Sequence, residues 1–445
     1  MGNMPVTPVR RRAILAAVPV CAVAALIAVA AAGLFDRIPL LNPPLAITVE
    51  TLAVLVLLGS WASRRRGWLT RWLPAIVLAA ALMTGLAAAI LWLTGTIVDV
   101  YPVSFALWVG LAVAAVVGAP LVLAEPGRLR RCAAAAAVPL TLSGALLLIN
   151  DEYGVWPTAG DLFGHTIVLR PSALHRLPPG SVKPDRGVLV ALDPPATVSH
   201  FVHRPGSVYL PPAYFTPARS KLPVIIMLAG TPGGTAQWPV SGKATATADA
   251  YATTHHGQAP ILVFVDENGS ATGDTECVNG PRGDAETYLT VDVPAFLTQR
   301  LGVTRVADRW AIAGFSEGGT CALDLTLVHP NLFHHFVDLA GDDRPTLGNP
   351  QRNRTVLFGG SATALRNHDP DHLLLAHRYK DVSCWFAAGV DDNRHLVGAR
   401  RLALEASRAG LRVHLFTGIS GHNWQFASAA FAEVLPSLCT DLGLT

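Results

Sequence analysis

Five apolar segments crowd the start of the chain, at roughly 13–35, 45–62, 73–95, 103–124 and 132–149. Each is about long enough to cross a hydrocarbon layer roughly 30 Å thick as a helix. Lipid offers no water to an unpaired N–H or C=O, so such segments must close their hydrogen bonds internally. The expectation is therefore an all-α domain of five spanning helices over residues 1–150. The second segment is the shortest, and Glu50 near one end of it reads as a side chain reaching for the interface. Charge is otherwise nearly absent from the segments, which argues against an ion or proton pathway.

The charges between the segments alternate. Arg10, Arg11 and Arg12 precede the first, Arg64, Arg65, Arg66 and Arg71 follow the second, and Arg128, Arg130 and Arg131 follow the fourth. The other two connections carry only Asp36, Arg37 and Asp99. By the positive-inside rule the N-terminus is cytoplasmic, and an odd number of spans places everything after Asn150 outside the plasma membrane. The basic start of the first segment resembles a signal peptide, but its length and the four spans after it favour a retained helix. Net charge is only +3, with no basic block beyond the N-terminal part, so nucleic acid is not an expected partner. The lipid bilayer is.

Cysteine placement agrees with export. Cys21 and Cys132 fall inside apolar segments, whereas Cys277, Cys321, Cys384 and Cys439 form an even set in the outer part. Three pairings are open. The preferred one joins Cys277 to Cys321 and Cys384 to Cys439.

Residues 151–185 are rich in Pro, Gly and polar side chains and read as a tether. From residue 186 to 445 the pattern is that of an α/β domain. Alternating segments at 187–193 and 200–210 predict antiparallel strands. Continuous apolar runs at 224–229, 261–265, 310–313, 333–339, 382–388 and 411–416 predict buried strands, with helices at 293–301, 319–329 and 396–409 between some of them. Buried strands alternating with helices imply a mostly parallel sheet covered on both faces.

Within it, Gly314-Phe315-Ser316-Glu317-Gly318 lies between an apolar strand and a helical stretch. Glycines beside a serine at such a corner permit the strained turn that lifts a nucleophile above the sheet. They also leave backbone N–H groups at a helix N-terminus, where an oxyanion could bind. A serine nucleophile needs a base and an orienting acid, which in this architecture follow it in the order acid, then histidine. Gly389-Val390-Asp391-Asp392 ends one later strand and Gly421-His422-Asn423 follows the last. His422 is the expected base, with His395 and His414 as weaker rivals. Asp392 is favoured over Asp391 as the acid, and the carboxylate left over is expected to cap the next segment. A second oxyanion amide is expected from Thr231 in the turn after strand 224–229, beside that of Glu317. Pro232 has no N–H to offer. Trp238 could wall the substrate pocket or pack in the core. Asp342-Asp343 and the run His368 to His372 do not have the spacing of a metal site, so neither a metal nor another cofactor is expected.

These motifs, with Val208-Tyr209-Leu210-Pro211-Pro212 and Leu222-Pro223-Val224, resemble the esterase family of α/β-hydrolases that includes esterase D and the mycobacterial antigen 85 mycolyltransferases. The likeness covers about 186–438. It implies Ser316 as nucleophile, His422 as base, an acid after Gly389 and an ester as substrate. Spans followed by an exported esterase domain look like actinobacterial membrane esterases, some similar to hydrolases of aminoacyl-phosphatidylglycerol. A lipid-linked ester is thus an expected substrate. An acyltransferase acting on envelope acceptors and an inactive envelope-binding module are the alternatives.

Overall fold

The computed structural model describes residues 38–62, 67–93, 103–153, 156, 158–162, 185–217 and 221–444. The first expected span and most of the expected tether lie outside these. Four helices follow: α1 (Pro43–Trp61), α2 (Leu73–Leu93), α3 (Val103–Leu123) and α4 (Arg128–Tyr153). Among the described residues these are the four long and apolar enough to cross a membrane. Their burial is inverted relative to a water-soluble bundle. Leu52, Leu55, Leu58, Leu78, Leu82 and Leu86 face outward, while Ala53, Ala112, Ala115 and Ala137 fill the helix contacts. Small residues at the contacts and large apolar ones outside suit helices packed in lipid, where burying leucine between helices gains little. Arg130 pairs with Glu125 at 2.6 Å in the turn between α3 and α4.

The second half is built on one eight-stranded sheet. Its strands are β1 (Val188–Leu192), β2 (Gly206–Leu210), β3 (Val224–Leu228), β4 (Ile261–Phe264), β5 (Trp310–Phe315), β6 (His335–Leu339), β7 (Ser383–Gly389) and β8 (Arg412–Gly418). They lie in the order β1-β2-β4-β3-β5-β6-β7-β8. β2 runs antiparallel to both neighbours, and β4, β3, β5, β6, β7 and β8 are parallel to one another. Every residue of β3 to β7 is buried, so the apolar runs in the sequence mark strands covered on both faces.

The strand expected from residue 200 starts only at Gly206. The preceding loop is held by side chains instead: Asp292 accepts N–H bonds from Val198 and Ser199 at 3.0 and 2.9 Å, and Asp266 accepts one from Arg204 at 2.6 Å. Such local bonds offer the backbone an alternative to a ladder.

The longer helices of this half are α5 (Ala244–Thr254), α6 (Val293–Leu301), α7 (Glu317–Val328), α8 (Pro370–Ala376), α9 (Asn393–Ala409) and α10 (Trp424–Asp441). α9 buries Leu396, Ala399, Leu402, Ala403 and Ala406 along one stripe and ends at Gly410, whose φ is 97°. α5 and α10 go beyond the sequence expectations.

Cys277 and Cys321 form the disulfide, 44 residues apart. The second expected pair does not form, for Cys384 and Cys439 are both buried free thiols. Strand alternation gives the reason. Trp385 donates its Nε1–H to Ser437 on α10 at 2.9 Å, so that residue faces α10. Its neighbour Cys384 must then point through the opposite face, away from Cys439 on α10.

Candidate active site

β5 delivers the chain to the centre of the sheet, where Ser316 interrupts it with φ 59° and ψ −124°. Few non-glycine residues sit at positive φ, and strain of this kind persists only where surrounding structure enforces it. Here the enforcement is close packing. A Cβ on Gly314 would lie 1.9 Å from Gly318 O, and one on Gly318 would lie 2.2 Å from Ala229 O. The corner is therefore closed to any side chain at either glycine, and Ser316 is the N-cap of α7.

The later loops bring two partners to it. His422 Nε2 lies 2.8 Å from Ser316 Oγ, and His422 Nδ1 lies 2.8 Å from Asp392 Oδ2. A neutral imidazole satisfies both contacts in one tautomer, with Nδ1–H donating to the carboxylate and Nε2 accepting from the serine hydroxyl. The Phe315 ring packs 4.9 Å from His422 and 5.1 Å from Trp424, fixing the loop from beneath. Burial alone would raise the proton affinity of Asp392, but hydrogen bonds from His395 and His422 outweigh it and hold the carboxyl well below the usual range.

Asp391 does not join this group. Its N–H donates to Ser420 O at 3.1 Å and its side chain is exposed. The expectation that the unused carboxylate would cap the next segment is also overturned. Asp392 caps α9 itself, because its second oxygen remains free to accept from His395. His395, expected only as a rival base, lies beneath the pair, and His414 of β8 stacks on Trp385 of β7.

Asp392, His395 and His422 each place a possible ligand atom within 4.8 Å of the others. Hydrogen bonds of 2.7 and 2.8 Å already account for that convergence. Asp342 and Asp343 are engaged with Arg394 and Arg401, at 2.5 and 2.8 Å, and Asp369 caps α8.

Thr231 and Glu317 flank the serine. Their backbone N–H groups have no acceptor among the described residues, as amides kept for a ligand would. The role of the Glu317 side chain goes beyond the sequence expectations. Its carboxyl accepts from Thr231 Oγ1 and from Asn268 Nδ2, the latter at 2.6 Å. Thr231 Oγ1 also lies 2.8 Å from Gly273 O. Burial and the neighbouring Asp274 and Glu267 raise the Glu317 carboxyl well above the usual carboxylate range. Glu317 thus ties together the two turns that carry the free amides. Trp238 is a core residue, 1% exposed, bonded through Nε1 to Leu228 O and packed edge-on against Trp424.

A strained serine above a mostly parallel sheet, with aspartate and then histidine arriving from the later loops, defines an α/β-hydrolase of the serine-esterase type. A family model described as "Putative esterase" matches residues 202–438. A Corynebacterium glutamicum protein of uncharacterised function is 33% identical over 414 residues, spanning 90% of this chain and 95% of that relative. Among solved structures, an S-formylglutathione hydrolase from Agrobacterium tumefaciens is 19% identical, with a TM-score of 0.49 over 59% of this chain and 98% of its own. A ferulic acid esterase is 17% identical, with a TM-score of 0.49 over 57% of this chain and 98% of its own. The chain belongs to the esterase family and is an ester-hydrolysing enzyme.

Proposed function

We propose that this is a membrane-anchored carboxylesterase whose catalytic domain, about 186–445, lies on the outer face of the plasma membrane and takes lipid-linked esters. The observation that carries the chemistry is the continuous hydrogen-bonded line from Ser316 Oγ through His422 to Asp392. Ser316 attacks the ester carbonyl while His422 Nε2 takes its proton, and Asp392 stabilises the imidazolium that forms. The amides of Thr231 and Glu317 receive the oxyanion. Collapse of the tetrahedral intermediate sends the proton from His422 to the leaving alcohol, and water then repeats the sequence on the acyl-enzyme.

Two features support a lipid-borne substrate. Four apolar helices precede the esterase half, and an anchor concentrates the enzyme beside its substrate. A groove of about 1130 Å³ also runs between the chain around Pro39, Leu41 and Asp151 and the α5–α10 surface at Tyr251, Trp424 and Leu435. Trp424 lines this groove and packs on Phe315, which packs on His422, so membrane-side and catalytic surfaces meet at one ring. Acyl chains seated there would leave the head-group ester of an aminoacyl-phosphatidylglycerol near Ser316.

The test uses the full chain in detergent micelles doped with aminoacyl-phosphatidylglycerol, alongside short p-nitrophenyl esters. Release of the amino acid is expected. Hydrolysis of the soluble esters with the lipid untouched would sink the lipid reading and leave the esterase. An impermeant fluorophosphonate should label Ser316 on intact cells; labelling only after lysis would reverse the orientation.

A further inference from the structure

Asp392 serves two histidines. Its Oδ2 faces His422 Nδ1 at 2.8 Å, and its Oδ1 accepts from His395 Nδ1 at 2.7 Å. The two imidazoles stack, with centroids 4.3 Å apart and planes 25° from parallel. His395 is 5% exposed, and its far nitrogen, Nε2, lies 3.6 Å from Asp342 Oδ1. Its place follows from the helix cap: Asp392 is the N-cap of α9, and the residue three positions on turns back over the capping carboxylate. The mechanism above leaves this buried histidine without a role.

The geometry points to His395 as a positioning residue for the triad: a fixed imidazolium that holds one oxygen of Asp392 and aims the other at His422. The argument rests on the triad reading of Ser316, His422 and Asp392. A carboxylate on either side makes the charged form of His395 the favoured one. Burial alone would lower its proton affinity, but the bonds and charges of Asp342 and Asp392 push it up to about 10. The other charged groups facing it are Arg394, paired with Asp342 at 2.5 Å, and the buried Asp338 of β6, which burial raises to about 7. His395 therefore remains a cation across the range in which the esterase must work.

By holding Oδ1, His395 leaves only Oδ2 for His422, which fixes the imidazole rotamer and the tautomer that can accept from Ser316.

Two variants of the full-length protein test this role. His395→Asn keeps a donor for Asp392, whereas His395→Phe keeps a ring for the stack and removes the donor. The probes are p-nitrophenyl acetate turnover and the rate of fluorophosphonate labelling, with melting temperature recorded in parallel. The labelling rate and kcat should fall only a few-fold in His395→Asn and about 10- to 100-fold in His395→Phe, where the aim of Asp392 is lost, with KM almost unchanged in both. Equal losses in the two variants, or losses that follow melting temperature, would overturn the inference and leave His395 as packing. Labelling that persists in Ser316→Ala would instead defeat the triad reading on which it depends.

Discussion

Two histidine–carboxylate clusters lie along the same helix, and their difference shows what makes one of them a site. At the start of α7, His422 meets Asp392 at 2.8 Å. About two turns further on, His368 meets Asp324 at 2.7 Å, with Glu286 3.6 Å from the other side of His368 and His329 2.7 Å beyond that. The pair distances are nearly the same, so the pairing alone says nothing of function. What differs is the far nitrogen of the imidazole. In His422 it meets a hydroxyl held at positive φ in a partly open corner; in His368 it meets a second carboxylate. Asp324 is fully buried. The second cluster is closed on itself and pins α7 to the segment before α8, a structural use of the same chemistry.

The largest expected effect tests that contrast directly. Ser316→Ala and Asp392→Asn should each lower kcat by about 10³- to 10⁴-fold or more, the second by allowing the wrong His422 tautomer. Asp324→Asn should keep kcat within about tenfold, and Asp391→Asn should leave it almost unchanged. Turnover of p-nitrophenyl acetate by the four purified variants decides. A folded Asp324→Asn as inactive as Asp392→Asn would erase the distinction between the clusters.

Between the clusters, Cys321 anchors α7 through the disulfide to Cys277. Closing a loop of this size stabilises a fold by about 2–4 kcal/mol, so Cys321→Ser should lower the melting temperature by roughly 5–15 °C. Cys384→Ser should show no added sensitivity to reductant. If reductant melts wild type and Cys321→Ser alike, the bridge does not brace the helix.

Much of the fold and of the candidate site is legible in the amino-acid sequence. The spacing of Gly314, Ser316 and Gly318 marks the elbow because only the absence of Cβ atoms lets strand, turn and helix approach so closely. Parallel strands announce themselves as unbroken apolar runs, since both of their faces are covered. The choice between Asp391 and Asp392 is harder to read because it depends on a turn, where the bond from Asp391 N–H to Ser420 O directs one side chain outward. Glu317 sits in the motif, yet its partners Thr231 and Asn268 are 86 and 49 residues away. No local pattern encodes such a tie. The expected pairing of Cys384 with Cys439 fails for a similar reason, since parity in the count of cysteines says nothing about which face of a strand each one occupies.

A smaller effect separates the clusters by stability. Removing the Asp324 charge leaves His368 with a weaker partner in a buried place, which costs about 1–3 kcal/mol. Asp324→Asn should therefore melt a few degrees below wild type, whereas Asp391→Asn, exposed beside the triad, should melt within a degree or two of it. Denaturant midpoints with unchanged slopes would show that stability and not compactness has moved. The reverse order would mean that the closed cluster is not a structural pin.

The smallest effect is a pH dependence that belongs to the closed cluster. Burial alone would lower the proton affinity of His368, but the charge and hydrogen bond of Asp324, with help from Glu286, raise it above the ordinary histidine value. A folded-state value above the unfolded one means that the native protein binds more protons across the window between them. The stabilisation is thus fully present below about pH 6.5, the unfolded histidine value, and is lost as pH rises through the raised folded value. His368→Gln removes this contribution and keeps a donor for Asp324. Its melting temperature should fall less than that of wild type between pH 6 and pH 9, a difference on the order of a degree or two. Parallel curves would show that His368 is not charged in the fold, and the second cluster would then be a neutral hydrogen-bonded pair. The contrast between the clusters would sharpen in that case: of the two buried imidazoles set between carboxylates, only His395 at the triad would be a cation.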